Sequence, residues 1–121
     1  MFTVTVESSF TASHQITYAK GQKEDLHEHR WLLKVAVSSP QLDENGLALD
    51  FIDLKADIDR ITAELDNTRL ENLDFFKDKN ASAENVAKHI HDSLKPAIPA
   101  DKTLDYVEVM EAEGCWAKYS Q

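Results

Sequence analysis

The sequence predicts an α+β domain whose elements follow the order β-β-α-α-β-β over residues 1–121. Apolar and polar residues alternate at both ends of the chain, which indicates strands. Two central segments carry apolar residues at helical spacing, and turn residues separate these patterns. Because strands flank a pair of helices, we expect an antiparallel sheet with the helices layered on it. A chain of 121 residues supports one domain with a modest core.

The first two strands are predicted on either side of a polar loop. Residues 2–13 alternate between apolar and polar side chains, as a half-buried strand does. Residues 15–26 are polar and form the loop, and residues 27–38 form the second strand. The odd positions of this strand are mainly apolar, so His27 and His29 are in phase with its buried face.

Two amphipathic helices are predicted in the centre of the chain. Residues 50–65 have apolar side chains at spacings of three and four, and Asp50 can cap the start. Residues 82–95 show the same spacing, with Ser82 as the cap and Pro96 just past the end. We therefore expect both helices to turn one apolar stripe towards the sheet.

Two short strands, at about residues 104–111 and 115–119, are predicted to close the chain. The single cysteine, Cys115, excludes an internal disulfide and is compatible with a reducing compartment, so we expect a cytoplasmic protein. The apolar runs are too short for a membrane span. The alternating start lacks the charged-then-apolar layout of a signal peptide.

Three histidines predict an open metal site. His27 and His29 are two residues apart in an extended strand, so their imidazoles point to the same side. His14, at the end of the first strand, can supply a third nitrogen. Three neutral nitrogen ligands leave the fourth zinc position for water or substrate, which is typical of catalytic zinc. His89 and His91 repeat the spacing in a predicted helix, where side chains two apart diverge by about 200°.

The net charge of −9, from 22 acidic and 13 basic residues, limits the classes of partner. A field of this sign repels nucleic acid and anionic membranes, so we expect neither as a partner. An anionic small molecule would need a local basic cluster. The basic residues nearest to the predicted metal site in the sequence are Lys20, Lys23 and Arg30.

Five segments resemble, in the same order, motifs of the 6-pyruvoyltetrahydropterin synthase and 6-carboxytetrahydropterin synthase family. They cover nearly the whole chain. The segments are Phe10-Thr11-Ala12-Ser13-His14 (family pattern F-x-A-x-H), Leu26-His27-Glu28-His29 (L-H-G-H), Leu49 to Lys55 (D-F-x-x-L-K), Asn80 to Asn85 (N-P-T-x-E-N) and Val107 to Tyr119 (V-x-E-T…Y).

This resemblance implies a tunnelling fold (T-fold), in which two helices cover one face of a four-stranded antiparallel sheet. It also implies a homo-oligomeric barrel, as a trimer or a hexamer, with a pterin bound between subunits. The zinc ligands would be His14, His27 and His29, and Glu111 would anchor the pterin. A carboxylate suits that role because it can accept two parallel hydrogen bonds from a planar pair of donors.

Two departures from the family motifs concern proton transfer. Residues 22–25 contain no cysteine, whereas many members carry a catalytic one there, and Asn67 stands where members have a histidine after the aspartate that matches Asp66. Asparagine cannot accept and return a proton near neutral pH. One branch of the family is similar in using a glutamate near the position of the cysteine. The resemblance therefore implies Glu24 and Asp66 as catalytic candidates.

Two functions from different classes follow from the sequence. The first is a zinc-dependent lyase that converts 7,8-dihydroneopterin triphosphate into a 6-substituted pterin such as 6-carboxy-5,6,7,8-tetrahydropterin, a queuosine precursor. In the branch without the cysteine, the product is 6-hydroxymethyl-dihydropterin, a folate precursor. The second is a non-catalytic paralogue that binds zinc and pterin. The missing cysteine and histidine favour the paralogue, whereas the intact metal ligands favour the enzyme.

Overall fold

The computed structural model describes residues 1–121 as one mixed sheet with two helices packed on it. The strands and helices are, in chain order, β1 (Phe2–His14), β2 (His27–Ser39), α1 (Phe51–Leu65), β3 (Thr68–Arg69), α2 (Ala83–Leu94), β4 (Thr103–Ala112) and β5 (Cys115–Tyr119). The strands are arranged in the order β3-β1-β2-β4-β5. The predicted α+β class and the order of the six predicted elements are confirmed.

The sheet departs from the expected four antiparallel strands because of β3. This two-residue strand follows α1 and pairs in parallel with Ala12 and Ser13, so the sheet has five strands and is mixed. Two residues are too few to show a periodicity, and β3 therefore left no signal in the sequence. Its pairing holds the segment after α1 beside the end of β1.

The register between β1 and β2 positions the functional site. The two strands pair antiparallel without interruption from Phe2 opposite Ser39 to His14 opposite His27. Directly opposite residues of an antiparallel pair project to the same face. His14 and His27 therefore lie together at the end of the hairpin, on the face that the helices cover.

Both helices begin at the predicted caps. The Asp50 carboxylate accepts a hydrogen bond from the backbone N–H of Ile52 at 2.8 Å, and the Ser82 hydroxyl accepts one from Asn85 at 3.2 Å. These bonds satisfy backbone donors that have no partner inside the helix. Neither helix has the length and apolarity that a membrane crossing requires.

The core lies between the helices and one face of the sheet. Trp31 is fully buried at its centre, stacks on Phe10 with ring centroids 5.8 Å apart, and donates its indole N–H to the carbonyl of Ala12 at 3.2 Å. The other large buried side chains include Leu33, Val35, Leu54, Ile58, Leu65, Leu70, Phe76, Ile90 and Leu94. The core extends along β1 to His14, which is also fully buried.

His89 packs on the outer edge of this core and should make stability depend on pH. Its ring lies 4.5 Å from the ring of Phe75, centroid to centroid. Burial lowers the pKa of His89; Glu64 and Asp92 raise it by a smaller amount, and Lys79 lowers it. The unfolded chain, with a histidine pKa of about 6.5, therefore binds the proton more readily than the folded chain.

We expect the free energy of unfolding to decrease as the pH falls from neutral towards the lowered pKa of His89 in the folded chain. The contribution of His89 is complete above the unfolded pKa and is lost as the pH approaches the lower, folded pKa. Urea unfolding of the wild type and of His89→Gln at several pH values tests this expectation. The variant should show a shallower pH dependence, and identical slopes would contradict it.

Candidate metal centre

Four side chains from three strands converge at one end of the sheet. His14 ends β1, His27 and His29 begin β2, and Glu111 lies near the end of β4. Their potential ligand atoms all lie within 4.8 Å of one another. The convergence predicted for the three histidines is therefore present in the structure, and Glu111 joins them.

Backbone carbonyls set the tautomers of two of these histidines. The Nδ1 atom of His14 lies 2.7 Å from the carbonyl oxygen of Ala81, and the Nδ1 atom of His27 lies 2.7 Å from that of Asp25. A carbonyl can only accept, so each Nδ1 carries the proton and donates it. In a neutral imidazole this arrangement leaves the Nε2 lone pair free, and it is a common way of orienting metal-binding histidines.

The two free lone pairs meet each other and a carboxylate. The Nε2 atoms of His14 and His27 are 2.8 Å apart, and the Oε1 atom of Glu111 is 2.6 Å from the Nε2 atom of His14. Three acceptors so close together repel one another unless a proton or a metal cation lies among them. A divalent ion fits this need, and imidazole nitrogens with a carboxylate oxygen form a donor set that suits zinc.

The third histidine is also suited to binding a metal. Burial is the largest cause that lowers the pKa of His29, and the neighbouring His27 lowers it further; Glu111 acts in the opposite direction. A lowered pKa keeps the imidazole neutral, which is the form that binds a metal. The ring of Trp31 packs edge-on against His14, with centroids 5.0 Å apart, and closes the site from the core side.

Glu111 was predicted to anchor a pterin, with the three histidines leaving one metal position open. In the structure its carboxylate lies inside the donor set, and its side chain is 30% exposed. Leu32 pairs with Met110, one residue before Glu111, so β4 is placed to bring this carboxylate to the histidines. The carboxylate is thus able either to complete the metal site or to turn towards a ligand.

Glu24 lies beside the donor set but does not belong to it. Its Oε1 atom accepts a hydrogen bond from the backbone N–H of Ile16 at 2.9 Å and lies 3.8 Å from the Nε2 atom of His27. A bridge between Thr17 and Lys23 folds the loop back on itself and returns Glu24 to the site. A catalytic role for Glu24 therefore stays a prediction that the geometry allows.

Asp66 holds the end of α1 to β1. Its Oδ1 atom accepts a hydrogen bond from the backbone N–H of Thr11 at 2.9 Å, and Asn67, with a positive φ of 57°, donates its own N–H to the carbonyl of Thr11. These bonds account for Asp66 as a structural residue that holds Thr11, three positions before His14 in β1. Its catalytic role stays a prediction.

Two other features of the site were not assigned from the sequence. The carbonyl of Ala81 orients His14, and Asn80, the preceding residue, exchanges two hydrogen bonds with the backbone of Thr17. The Asn80–Asn85 motif was the available signal, although its function could not be inferred.

Arg30, considered for phosphate binding, projects to the opposite face of the sheet and donates a hydrogen bond to the Ser9 hydroxyl at 3.3 Å.

The sequence is similar to known proteins of one family. The family model for 6-pyruvoyl tetrahydropterin synthase matches residues 3–121. The chain is 31% identical to a putative 6-carboxy-5,6,7,8-tetrahydropterin synthase of Archaeoglobus fulgidus, over 93% of this chain and 90% of that protein. It is also 31% identical to a dihydroneopterin monophosphate aldolase of Pyrococcus furiosus, over 86% and 84% of the two chains.

Solved structures show the same fold. The 6-pyruvoyl tetrahydropterin synthase of Caenorhabditis elegans superimposes with a TM-score of 0.84 at 24% identity, over 100% of this chain and 97% of that one. The Plasmodium vivax enzyme, solved with a catalytic glutamate replaced by alanine, superimposes with a TM-score of 0.74 at 21% identity, over 99% and 97%. The tunnelling fold is therefore established for this chain.

Proposed function

The chain belongs to the 6-pyruvoyl tetrahydropterin synthase family, and we propose that it is a zinc-dependent lyase acting on the side chain of 7,8-dihydroneopterin triphosphate. The product would be a 6-substituted pterin such as 6-carboxy-5,6,7,8-tetrahydropterin. The observation that carries this proposal is the meeting of the Nε2 lone pairs of His14 and His27 with the carboxylate of Glu111. Such a cluster suits a divalent cation and lies at a partly exposed end of the sheet.

The metal site would be formed by His14, His27 and His29. Zinc suits these nitrogen ligands, although other divalent ions also bind imidazole. When bound, the ion would supply Lewis-acid chemistry for the oxygens of the substrate side chain. Trp31 keeps the core side of the site dry, which strengthens electrostatic interactions within it.

Glu24 is proposed as the base. One of its oxygens is held by the N–H of Ile16, so the carboxylate has a fixed position 3.8 Å from His27. The second oxygen stays available to take a proton from the substrate side chain. A catalytic glutamate in the Plasmodium vivax relative supports this role, and this chain has no cysteine in residues 22–25 that could serve instead.

Glu111 is proposed to anchor the pterin. Its carboxylate could accept hydrogen bonds from the 2-amino group and the adjacent ring N–H, which would place the side chain of the substrate towards the histidines. A bound ion would relieve the present contact with His14, because the histidine lone pair would then be engaged by the metal. The carboxylate would be free to turn outwards.

We also propose a homo-oligomeric barrel, as a trimer or a hexamer, in the cytoplasm. Residues 2–11 of β1 have a strand neighbour on one side only, and β5 is the outer strand at the other edge of the sheet. Unpaired edges of this length are ready to pair with another chain. Sedimentation of the purified protein would distinguish a trimer from a hexamer and from a monomer.

A second candidate function is carbon–carbon cleavage to 6-hydroxymethyl-dihydropterin. In that reaction a base removes the proton from the hydroxyl on the second side-chain carbon, and the bond between the first and second carbons breaks. The oxygen forms a carbonyl on the second carbon, which leaves with the third carbon as an aldehyde. The electron pair is then protonated on the first carbon, which becomes the hydroxymethyl group. This cleavage needs only one base, and Glu24 could supply it. The chain lacks the family cysteine in residues 22–25 and has Asn67 in place of the histidine, so it offers no second proton-transfer group at those positions. The aldolase relative of Pyrococcus furiosus also supports this candidate.

A product assay tests the proposal. The protein is incubated with dihydroneopterin triphosphate and, separately, with the monophosphate, and its metal content is determined on the same sample. A 6-carboxy product supports the first function, and a 6-hydroxymethyl product supports the second. A metal-loaded protein that binds pterin without converting it would overturn both and favour a non-catalytic paralogue.

Replacing Glu24 by Gln should lower turnover about 100-fold or more, the range for losing a general base, while metal content stays unchanged. Glu28→Gln is the matched control, because Glu28 is exposed and projects to the opposite face of β2. Steady-state kinetics of both variants decide the point. Unchanged turnover in Glu24→Gln would rule out the proposed role of this residue.

A further inference from the structure

A network of hydrogen bonds connects the segment after α1 with the loop that carries Glu24. Its centre is Gln15, the residue that follows β1. The backbone N–H of Gln15 donates to the Oε1 atom of Glu71 at 3.1 Å, and its side-chain Oε1 atom accepts from the guanidinium group of Arg69 at 3.2 Å. Its Nε2 atom donates to the backbone carbonyl of Glu24 at 2.9 Å. Both polar atoms of the Gln15 side chain are therefore engaged.

The sheet and the core fix one side of this network. Arg69 belongs to β3 and pairs with Ser13 of β1. Its Nε atom donates at 3.3 Å to the Oε1 atom of Glu71, which is the same atom that accepts from Gln15. Leu70, between these two residues, is fully buried, so the backbone that carries them is anchored in the core. Arg69 and Glu71 thus offer Gln15 one donor and one acceptor from a packed segment.

The other side of the network ends at Glu24, the proposed base. Its N–H donates to the carbonyl of Ile16 at 3.0 Å, and its Oε1 atom accepts from the N–H of Ile16 at 2.9 Å. The carbonyl of Glu24 is its remaining backbone polar group and is bound by Gln15. The first two bonds use only the backbone of Ile16. The bond from Gln15 is made by a side chain, so a substitution can remove it alone.

The rest of the loop contributes little that could hold this carboxylate. Residues 17–23 are all exposed, so burial does not fix their conformation. Hydrogen bonds where the loop begins and ends therefore determine how Glu24 lies, with its Oε1 atom 3.8 Å from the Nε2 atom of His27. Position matters for a base, because a displacement of about 1 Å can lower the rate about 100-fold.

We propose that Gln15 is a positioning residue that holds the carboxylate of Glu24 beside the histidine cluster. This inference rests on the proposed function of Glu24 as the base. Glutamine suits the position because one amide offers a donor to the carbonyl of Glu24 and an acceptor to the guanidinium group of Arg69. Gln15 itself transfers no proton, and its effect on the reaction passes through Glu24.

The kinetics of Gln15→Met test this role in the full-length, metal-loaded protein, because methionine has a similar length and forms neither side-chain hydrogen bond. With dihydroneopterin triphosphate or monophosphate, we expect kcat to fall about tenfold through misplacement of the base, while KM and metal content stay unchanged. In the Glu24→Gln background the same change should have no further effect, because the two residues act as one unit. A residue that only stabilises the fold would lower turnover by the same factor in both backgrounds.

Two further variants complete the set. Gln22→Met is the matched control, because it makes the same change at an exposed position of the same loop, and it should leave kcat unchanged. Arg69→Met removes the bond that holds the Gln15 side chain from behind. We expect a smaller fall in kcat from it, because Gln15 keeps its bond to Glu24. Since Arg69 is exposed, this variant decides the point if Gln15→Met does not fold.

Hydrogen exchange tests the positioning without any turnover. The amide of Glu24 should exchange about fivefold faster in Gln15→Met than in the wild type, as expected for the loss of one hydrogen bond, and at the wild-type rate in Gln22→Met. If Glu24→Gln leaves turnover unchanged, the proposed base is wrong, and exchange at Glu24 still decides whether Gln15 holds it. An unchanged exchange rate at Glu24 in Gln15→Met and Arg69→Met, or equal losses of turnover in both backgrounds, would overturn the inference.

Discussion

Replacing His27 or His29 by Ala is expected to remove the metal and to abolish turnover. Losing a residue that only orients a metal ligand already lowers affinity about 10- to 100-fold, and losing a ligand should lower it further. The two positions are better suited to this test than His14, which is fully buried in the core and contributes to folding. Both β2 histidines are partly exposed, so their variants should stay folded.

Metal content of the purified variants and titration with zinc measure the effect. His89→Ala is the matched control, because it removes a histidine whose ring lies on Phe75, away from the cluster. Circular dichroism establishes that each variant is folded. A stoichiometric metal content in both His27→Ala and His29→Ala would contradict the assignment of the site, whatever their activity.

Replacing Glu111 by Gln is expected to weaken pterin binding about 100-fold or more. The carboxylate would accept two charge-assisted hydrogen bonds, each contributing about 1.5–3 kcal/mol. The amide of Gln offers one acceptor and one donor, and the donor would face a donor of the pterin. Glu108→Gln is the matched control, because Glu108 belongs to the same strand but lies on the opposite parity from the buried Val107 and Val109.

The same variant separates the two possible roles of this carboxylate. Pterin affinity is measured by fluorescence quenching, and zinc affinity is measured on the same preparation. An anchor predicts a large loss of pterin affinity with zinc affinity retained. If Glu111 instead completes the metal site, zinc affinity falls, and the proposed anchoring role is wrong. The position of its Oε1 atom, 2.6 Å from His14, makes this measurement necessary.

The sequence by itself determined the elements of the fold and the face on which two candidate metal ligands lie. Helical spacing and the caps Asp50 and Ser82 predicted both helices, because these signals act over a few residues. Alternation along β2 placed His27 and His29 on its buried face, because this pattern is also local to a few residues. The sequence also offered His14 at the end of the first strand as a third ligand, and its position opposite His27 confirms that the two lie together.

Only the tertiary structure decided what surrounds those ligands. The carbonyls of Ala81 and Asp25 fix the tautomers of His14 and His27. The pairing of β4 with β2 brings Glu111 into the donor set. The loop that returns Glu24 to His27 likewise depends on contacts between distant residues. A periodic pattern gives the face on which a side chain lies. The atoms that meet it there depend on register and packing between segments far apart in the chain, which no local pattern encodes.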